Sequence, residues 1–226
     1  ALTLAPWPAM AAETIPTRTV PIRVETIATG LENPWSVEVL PDGAYLVTER
    51  PGRLRIIEDG VISPPVDGLP KIAAAGQGGL LDVALSRQFA ETAILYFSFS
   101  EPGPGGAGTA IAKARLVRDD QQPRLEDTEV IFSMNRKTRR GQHFGSRIVI
   151  ADDDSLFFSI GERGDRDRAQ DMQDHAGAIL HINPDGSIPA DNPYGDGISA
   201  LPELWSKGHR NPQGIAIDPA NGTLFA

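Results

Sequence analysis

The stretch GQHFGSRIVIADDDSLFFSIGERGDRDRAQ, residues 141–170, contains the pattern that decides the fold. Two apolar, strand-like runs, residues 147–150 and 155–160, are separated by the turn sequence ADDD. Short apolar runs on either side of such a turn are typical of an antiparallel hairpin. Because a hairpin returns the chain on itself, it can bring Glu162, which follows the second run, back beside His143, which precedes the first.

His143 and Glu162 are therefore the candidate catalytic residues. A carboxylate that fixes an imidazole is the usual way to prepare a histidine as a general base. The alternative is that His143 is a surface residue before one strand and Glu162 a surface residue after the next. This stretch alone leaves both interpretations open.

The same sequence pattern, here called the blade phrase, recurs along the chain. A small residue, an apolar alternation, a turn and a second apolar strand occur at residues 36–48, 79–98, 146–160 and 214–225. A unit of roughly 40 to 50 residues, with insertions, made of short antiparallel strands is typical of a β-propeller blade. A β-sandwich is the alternative for regular short strands, but the fixed recurrence of one phrase favours an all-β propeller with about four blades present.

The composition agrees with a turn-rich β protein and excludes several classes. The chain has 226 residues with 23 Gly and 19 Pro, a high share for a helical protein. A net charge of −9 argues against nucleic acid as a partner, because backbone binding needs a basic surface. The absence of cysteine from the sequence excludes disulfides and thiolate metal sites.

The two ends of the chain carry separate predictions. Residues 1–12, ALTLAPWPAMAA, are apolar and end in small residues, which is typical of the back half of a secretory signal peptide. This segment is too short to span a membrane, and an ordinary apolar N-terminus is the alternative. Residues 13–226 are predicted to form a partial propeller whose C-terminal blades are missing, because the chain stops at Ala226 inside a strand-like run.

Three further polar residues lie in loops that precede a blade phrase, as His143 does. Gln77 lies in AGQGG, residues 75–79, and Arg210 and Asn211 lie in GHRNPQG, residues 208–214. In a propeller this place is the loop into the innermost strand, near the central channel. Each residue alone is more readily structural, but repeat symmetry predicts that all three converge with His143 on one pocket.

Three other motifs are set aside. GPGGAG, residues 103–108, matches a dinucleotide-binding pattern, but a β-like alternation follows it, so it is predicted to be a hairpin loop. The Arg163-Gly164-Asp165 adhesion tripeptide is attributed to chance. Asp165 and Asp167 lack the glycine and glutamate spacing of an EF-hand calcium loop.

Taken together, the phrases resemble the soluble quinoprotein sugar dehydrogenases, the glucose/sorbosone dehydrogenase family that binds pyrroloquinoline quinone (PQQ). The combination is specific although no single phrase is, and the Glu162-Arg163 form is similar to the bacterial aldose sugar dehydrogenase branch. The phrases follow the family order over residues 24–226 and are LENPW (31–35), GQGGLLD (76–82), QHFGSR (142–147), IGERGD (160–165), INPDGSIP (182–189) with DNP (191–193), and GHRNPQG (208–214).

The resemblance implies a six-bladed propeller of four-stranded antiparallel blades, with PQQ across one end of the channel. His143 would take the proton from the sugar anomeric hydroxyl, and Glu162 would orient it. Gln77, Arg210 and Asn211 would contact PQQ, with Arg210 also polarising the quinone carbonyl. A calcium ion would bind the PQQ carboxylate and carbonyl edge as a Lewis acid, but its ligands are expected beyond Ala226, so no metal ligand is assigned here.

The function implied is a periplasmic oxidoreductase that oxidises an aldose to a lactone, with hydride transfer to PQQ. Its partners would be a small-molecule sugar and an external electron acceptor. The alternatives are a non-catalytic propeller that binds proteins and a calcium-dependent lactonase-type propeller. The intact set of basic and amide site residues favours the enzyme, but residues 1–226 alone are expected to be inactive and to have open, association-prone edges.

Overall fold

The structure begins with a two-stranded hairpin and continues with strands in groups of four. The computed structural model describes residues 12–119 and 122–226. The leading hairpin is β1 (Ala12–Ile15) with β2 (Ile22–Glu25), and the signal-peptide prediction for residues 1–12 lies outside the described residues except for Ala12. The first four-stranded sheet consists of β3 (Pro34–Val39), β4 (Tyr45–Glu49), β5 (Arg53–Glu58) and β6 (Val61–Ile62).

Two more four-stranded sheets and one strand pair follow. The second sheet consists of β7 (Leu80–Leu85), β8 (Ile94–Gly103), β9 (Gly106–Val117) and β10 (Arg124–Ser133). The third consists of β11 (Ile148–Ile150), β12 (Leu156–Ile160), β13 (Ala178–Ile182) and β14 (Leu204–Lys207), and the last pair is β15 (Ala216–Ile217) with β16 (Leu224–Phe225).

Helical structure is confined to short connections. The α-helix α1 (Phe89–Thr92) joins β7 to β8, and a 3₁₀ turn (Arg166–Gln170) follows β12. Within the described ranges, no helix has the length and apolar character that crossing a membrane requires.

Every sheet is an antiparallel meander in which each strand pairs with the next along the chain. The recurring phrase coincides with the first two strands of each sheet, and GPGGAG forms the β8–β9 hairpin that pairs Gly103 with Gly106. The first strands β3, β7 and β11 pack side by side. Sheets arranged in this way around a common line of first strands are blades, and the fold is a propeller rather than a sandwich.

Apolar seams between neighbouring blades form the core. One seam joins the first and second blades through Leu46, Leu54, Phe97 and Phe99, all with no exposed surface. The next joins the second and third blades around Phe158, which packs edge-on against Phe132 with ring centroids 4.8 Å apart. Side chains alternate between the two faces of a strand, so a blade buried on both sides needs an apolar residue at nearly every position.

The hairpin turns between the first two strands of each blade lie at the end of the propeller opposite to the loops that precede those strands. In the second and third blades these turns touch. Arg87 forms an ion pair with Asp152 at 3.0 Å, and its backbone N–H donates to Asp154 at 3.3 Å. Because each blade is an antiparallel meander, successive connections between its strands lie at opposite ends of the propeller.

A buried carboxylate fixes the chain where it enters the first blade. Glu49, 1% exposed, accepts hydrogen bonds from the Nε atoms of Arg53 and Arg55, each at 2.7 Å, and from the backbone N–H of Glu32. Burial alone would raise the pKa of Glu49, but these hydrogen bonds outweigh it and hold the pKa at about 2. The ionised carboxylate therefore ties β4, β5 and the loop before β3 together.

Glu49→Gln is expected to destabilise the protein at neutral pH and to remove one pH-dependent contribution. The folded-state pKa lies below the ordinary value of 4.5, so the contribution is complete above that pH and is lost as the pH falls towards 2. Urea unfolding of both proteins between about pH 2 and 6 measures it. Glu58→Gln is the control, because the Glu58 side chain is 63% exposed. A difference between wild type and Glu49→Gln that stays constant across this window contradicts the assignment.

Arg147 lies where the first strands of the blades meet. Its Nη1 donates to Asp82 at 2.8 Å, its Nε donates to the carbonyl of Gln213 at 3.0 Å, and its guanidinium lies 4.7 Å from the ring centroid of Trp35. Asp82, 1% exposed, also accepts from the hydroxyl of Ser36 at 2.5 Å. Burial raises the pKa of Asp82 although Arg147 and Ser36 act against it. One guanidinium thus connects the third blade, which Arg147 precedes, to the first two blades and to the loop before β15.

Candidate functional site

All five residues singled out in the sequence lie on loops at one end of the propeller. Gln77 precedes β7, His143 precedes β11, and Arg210 and Asn211 precede β15, while Glu162 follows β12. The first strands of successive blades run side by side, so the loops that precede them meet at the same end. The site is therefore formed by loops of the second and third blades and by the loop that leads into β15.

The structure places the carboxylate of Glu162 on the imidazole of His143. The Nδ1 of His143 and the Oε1 of Glu162 are 2.5 Å apart, and the two side chains are 12% and 6% exposed. A carboxylate only accepts, so the short contact assigns the proton to Nδ1 and leaves the Nε2 lone pair free to accept another. The second oxygen of Glu162, Oε2, is buried and has no hydrogen-bond partner among the described residues.

Gln77 and Asn211 hold the backbone of the loop that carries His143. The N–H of His143 donates to Oε1 of Gln77 at 2.8 Å, and the N–H of Gly145 donates to Oδ1 of Asn211 at 2.9 Å. His143 has a left-handed backbone, with φ of 56°, which a residue other than glycine adopts only when its surroundings impose it. The amide NH₂ groups of Gln77 and Asn211 bind no described residue.

Gly161 allows the two halves of the site to meet. A Cβ atom on this residue would lie 2.3 Å from the carbonyl oxygen of His143 and 2.7 Å from Oδ1 of Asn211. Such distances are impossible without moving the backbone of the His143 loop. The glycine before Glu162 is thus required by the close approach of the two loops.

A cavity of about 490 Å³ opens beside the pair, with His143, Glu162 and Arg210 in its lining. The backbone N–H of Glu162 donates to the carbonyl of Arg210 at 2.9 Å, while the exposed guanidinium of Arg210 binds no described residue. A larger cavity of about 690 Å³ contains none of the five residues, so size does not identify the site. The smaller cavity has a basic side chain, an oriented imidazole and a carboxylate facing one space.

Sequence reasoning missed most of the remaining lining. The available signal is the charge-dense run GDRDR, residues 164–168, which holds four charged residues in five positions shortly after β12. From the sequence, its aspartates are weighed as calcium ligands and as part of an adhesion tripeptide, not as lining of the site. The additional lining residues are Gln142, Gly164, Asp165, Arg166 and Asp167.

The wall formed by the 3₁₀ turn is anchored from β14. The Nζ of Lys207 donates to the carbonyls of Arg168, Asp174 and Ala176 at 3.2, 2.8 and 2.7 Å. Burial lowers the pKa of Lys207 to about 8, although the charges of Asp174 and Asp171 counteract it. Arg168 adds two hydrogen bonds to Asp174, at 2.7 and 2.9 Å. The turn beside the cavity is therefore rigidly held.

A second histidine has partners that resemble a hydrolytic triad but is closed to substrate. The Nε2 of His181 lies 2.7 Å from the hydroxyl of Ser155, and its Nδ1 lies 2.7 Å from Oδ1 of Asn192. All three residues are buried, with exposures of 2%, 1% and 7%. Burial lowers the pKa of His181. This network joins the β11–β12 turn to the segment before β14 and is structural.

No group of three or more His, Cys, Asp or Glu side chains arranged to hold a metal ion occurs within residues 12–119 and 122–226.

Comparison with known proteins identifies a family that covers most of the chain. A family model described as Glucose / Sorbosone dehydrogenase matches residues 31–226. Aldose sugar dehydrogenase YliI of Escherichia coli is 39% identical over 207 residues, which are 90% of this chain and 55% of the relative. The chain spans about half the length of the curated relatives it matches.

Solved structures agree with the sequence matches. A crystal structure of a glucose dehydrogenase superimposes with a TM-score of 0.82 at 44% identity, covering 86% of this chain and 57% of that one. The PQQ-bound aldose sugar dehydrogenase of Streptomyces coelicolor superimposes with a TM-score of 0.75 at 29% identity, covering 96% of this chain and 60% of that one. The prediction of a propeller present in part is confirmed.

Proposed function

The chain belongs to the glucose/sorbosone dehydrogenase family, and from that premise we propose that the protein is a PQQ-dependent aldose dehydrogenase. It oxidises the anomeric carbon of an aldose to a lactone, and hydride passes to the quinone. The observation that carries the proposal is the 2.5 Å contact between His143 and Glu162 at the edge of an open cavity that also contains Arg210.

PQQ has carboxylates and carbonyls that accept hydrogen bonds, and the chain offers donors to them in and beside the cavity. Arg210 lines the cavity, whereas Gln77 and Asn211 do not line it but bind the backbone of the loop that carries His143. The guanidinium of Arg210 and the NH₂ groups of Gln77 and Asn211 are donors that bind no described residue. The amide oxygens are already used by the His143 loop, so the free NH₂ ends are the parts available to a ligand. Bound PQQ would supply the two-electron oxidant, which the protein's own side chains cannot provide.

The side chains of this chain would manage the proton and the geometry. With its Nδ1–H donated to Glu162, His143 presents Nε2 to the cavity and accepts the proton of the anomeric hydroxyl there. The carboxylate of Glu162 keeps the ring in this tautomer and stabilises the imidazolium that forms. The buried Oε2 of Glu162 lacks a donor among the described residues. The positive charge of Arg210 favours electron density that develops on a bound acceptor.

The described residues contain no group of three or more His, Cys, Asp or Glu side chains arranged to hold a calcium ion. The requirement for calcium remains an implication of the family resemblance. No step assigned to His143, Glu162 or Arg210 depends on it.

The complete gene product that carries this chain is the material for the test. We expect it to reduce an artificial dye with an aldose as electron donor only after incubation with PQQ, and calcium is added and chelated in parallel. PQQ binding is measured separately by absorbance titration. Oxidation that needs NAD, or that persists unchanged without PQQ, contradicts the proposal. PQQ binding without turnover would favour a non-catalytic propeller, and lactone hydrolysis without dye reduction would favour the lactonase.

We further propose that the protein works in the periplasm and passes electrons to an external acceptor. The support is the apolar, small-residue composition of residues 1–12. Fractionation of cells that express the complete gene with its natural start measures this location. Recovery in the cytoplasmic fraction at full length contradicts it.

A further inference from the structure

Arg163 is a fully buried arginine immediately beside the candidate site. It has no exposed surface and is the largest of the fully buried side chains. Arginine is almost never buried without partners, because removing its charge from water is costly. Its position between Glu162 and Gly164 therefore calls for a structural or functional reason.

The guanidinium binds backbone carbonyls instead of a carboxylate. Its Nη2 donates to the carbonyls of Arg140 at 2.8 Å and Ala107 at 3.3 Å, and its Nη1 donates to the carbonyl of Gln142. The guanidinium also lies over the ring of Phe144, 3.4 Å from the ring centroid. Planar donors in a fixed fork, with a face that stacks on an aromatic ring, are properties of arginine that lysine does not share.

These contacts enclose His143 from both sides along the chain. Gln142, whose carbonyl is bound, is the residue before the histidine, and Phe144, whose ring is covered, is the residue after it. The backbone between them is left-handed at His143, with φ of 56°, and Arg163 itself has φ of 60°. Two unfavourable backbone conformations persist because the guanidinium fixes both neighbours of the histidine at once.

Arg163 keeps its positive charge although it is buried. Burial, followed by repulsion from Arg168, lowers the pKa of Arg163 to about 10, and the charge of Glu162 counteracts this. The guanidinium therefore stays protonated at neutral pH. Its charged donors therefore stay on the carbonyls of Arg140, Ala107 and Gln142.

We propose that Arg163 is a positioning residue that sets the place of His143 against Glu162, and thereby its tautomer, by holding Gln142 and Phe144. Its role in turnover rests on the proposed function, whereas its effect on the histidine does not. Burial also explains why the Arg163-Gly164-Asp165 tripeptide is not an adhesion motif, since its arginine cannot reach a partner.

The test uses Arg163→Gln and Arg163→Lys in the complete gene product. Selective ¹⁵N labelling of histidine reports the tautomer of His143 by NMR, and His143→Ala identifies its signal. We expect neutral His143 to be a single Nδ1–H tautomer in the wild type and a mixture of both tautomers in Arg163→Gln. Arg163→Lys is expected to lie between them, because an ammonium keeps the charge and can donate to carbonyls but has no planar face to cover the ring of Phe144. Arg115→Met is the control, since its side chain is 43% exposed and pairs with Glu126.

Turnover provides the second readout. We expect Arg163→Gln to lower kcat for aldose oxidation by about 100-fold, the usual cost of misplacing a catalytic group by about 1 Å, with little change in KM. An unchanged histidine tautomer and an unchanged kcat in folded Arg163→Gln overturn the inference. If Arg163→Gln does not fold, Arg163→Lys decides the matter by the same measurements. If the wild type oxidises no sugar, the proposed function fails, and the NMR readout still tests the positioning of His143.

Discussion

His143→Ala is expected to lower kcat for aldose oxidation by roughly 100- to 10,000-fold, the usual contribution of a general base. Alanine removes the only atom of this residue that can accept the anomeric proton, Nε2, while Gln77 can still bind the backbone N–H at position 143. Steady-state dye reduction in the complete gene product, after incubation with PQQ, measures the effect.

Cofactor binding and a milder variant are the controls for this result. Affinity for PQQ should change much less than kcat, because the proposed contacts belong to Gln77, Arg210 and Asn211. Glu162→Gln should lose less activity than His143→Ala, since the amide keeps the shape but not the charge that supports the imidazolium. Near-normal turnover by His143→Ala would remove the catalytic assignment and leave His143 as a structural partner of Glu162.

Arg147→Met is expected to lower the free energy of unfolding by roughly 3 kcal/mol, the low end for breaking a buried ion pair by removing one partner. The variant leaves the carboxylate of Asp82 buried without its cation. The low end applies because the Arg147 side chain is still 31% exposed. Urea unfolding gives the value directly, and the loss should shrink in acid, where protonation of Asp82 removes the unpaired charge.

An exposed arginine pair provides the comparison. Arg87→Met breaks the ion pair with Asp152, in which the two side chains are 50% and 88% exposed. It should lower the free energy of unfolding by less than about 1 kcal/mol. A double-mutant cycle of Arg147→Met with Asp82→Asn isolates the coupling between the two groups. Equal losses for Arg147→Met and Arg87→Met would show that the first pair is not the connection between blades described above.

The inner half of each blade was predictable because its determinants are local. Apolar alternation and Asp/Gly turns specify β11 and β12, and the same phrase marks the corresponding strands of the other blades. The outer strands were harder to predict. β9 is rich in Ala and Gly, and β10 has register shifts between Glu126 and Glu129 and between Val130 and Phe132 that interrupt the alternation. A bulge moves side chains to the opposite face, so the periodic signal fails there.

The site was predictable as a set of loops but not as a set of contacts. Repeat symmetry was sufficient to group Gln77, His143 and Arg210 at one end. It could not show that the amide oxygen of Gln77 is used by the His143 backbone, nor that Arg163 is buried, because both depend on contacts between residues far apart in sequence. The catalytic and cofactor-binding roles of these residues remain predictions.

The connections between strands lie at two opposite ends of the propeller, and only one of these ends contains the cavity. A linker can therefore be attached at the other end without covering the cavity. The cavity lies among the loops at one end, whereas turns such as the one containing Asp152, whose side chain is 88% exposed, lie at the other. A linker inserted at such a turn would fix the molecule to an electrode or bead with its cavity facing the solution. Diffusion of a sugar and of a mediator to the immobilised protein would then remain unobstructed.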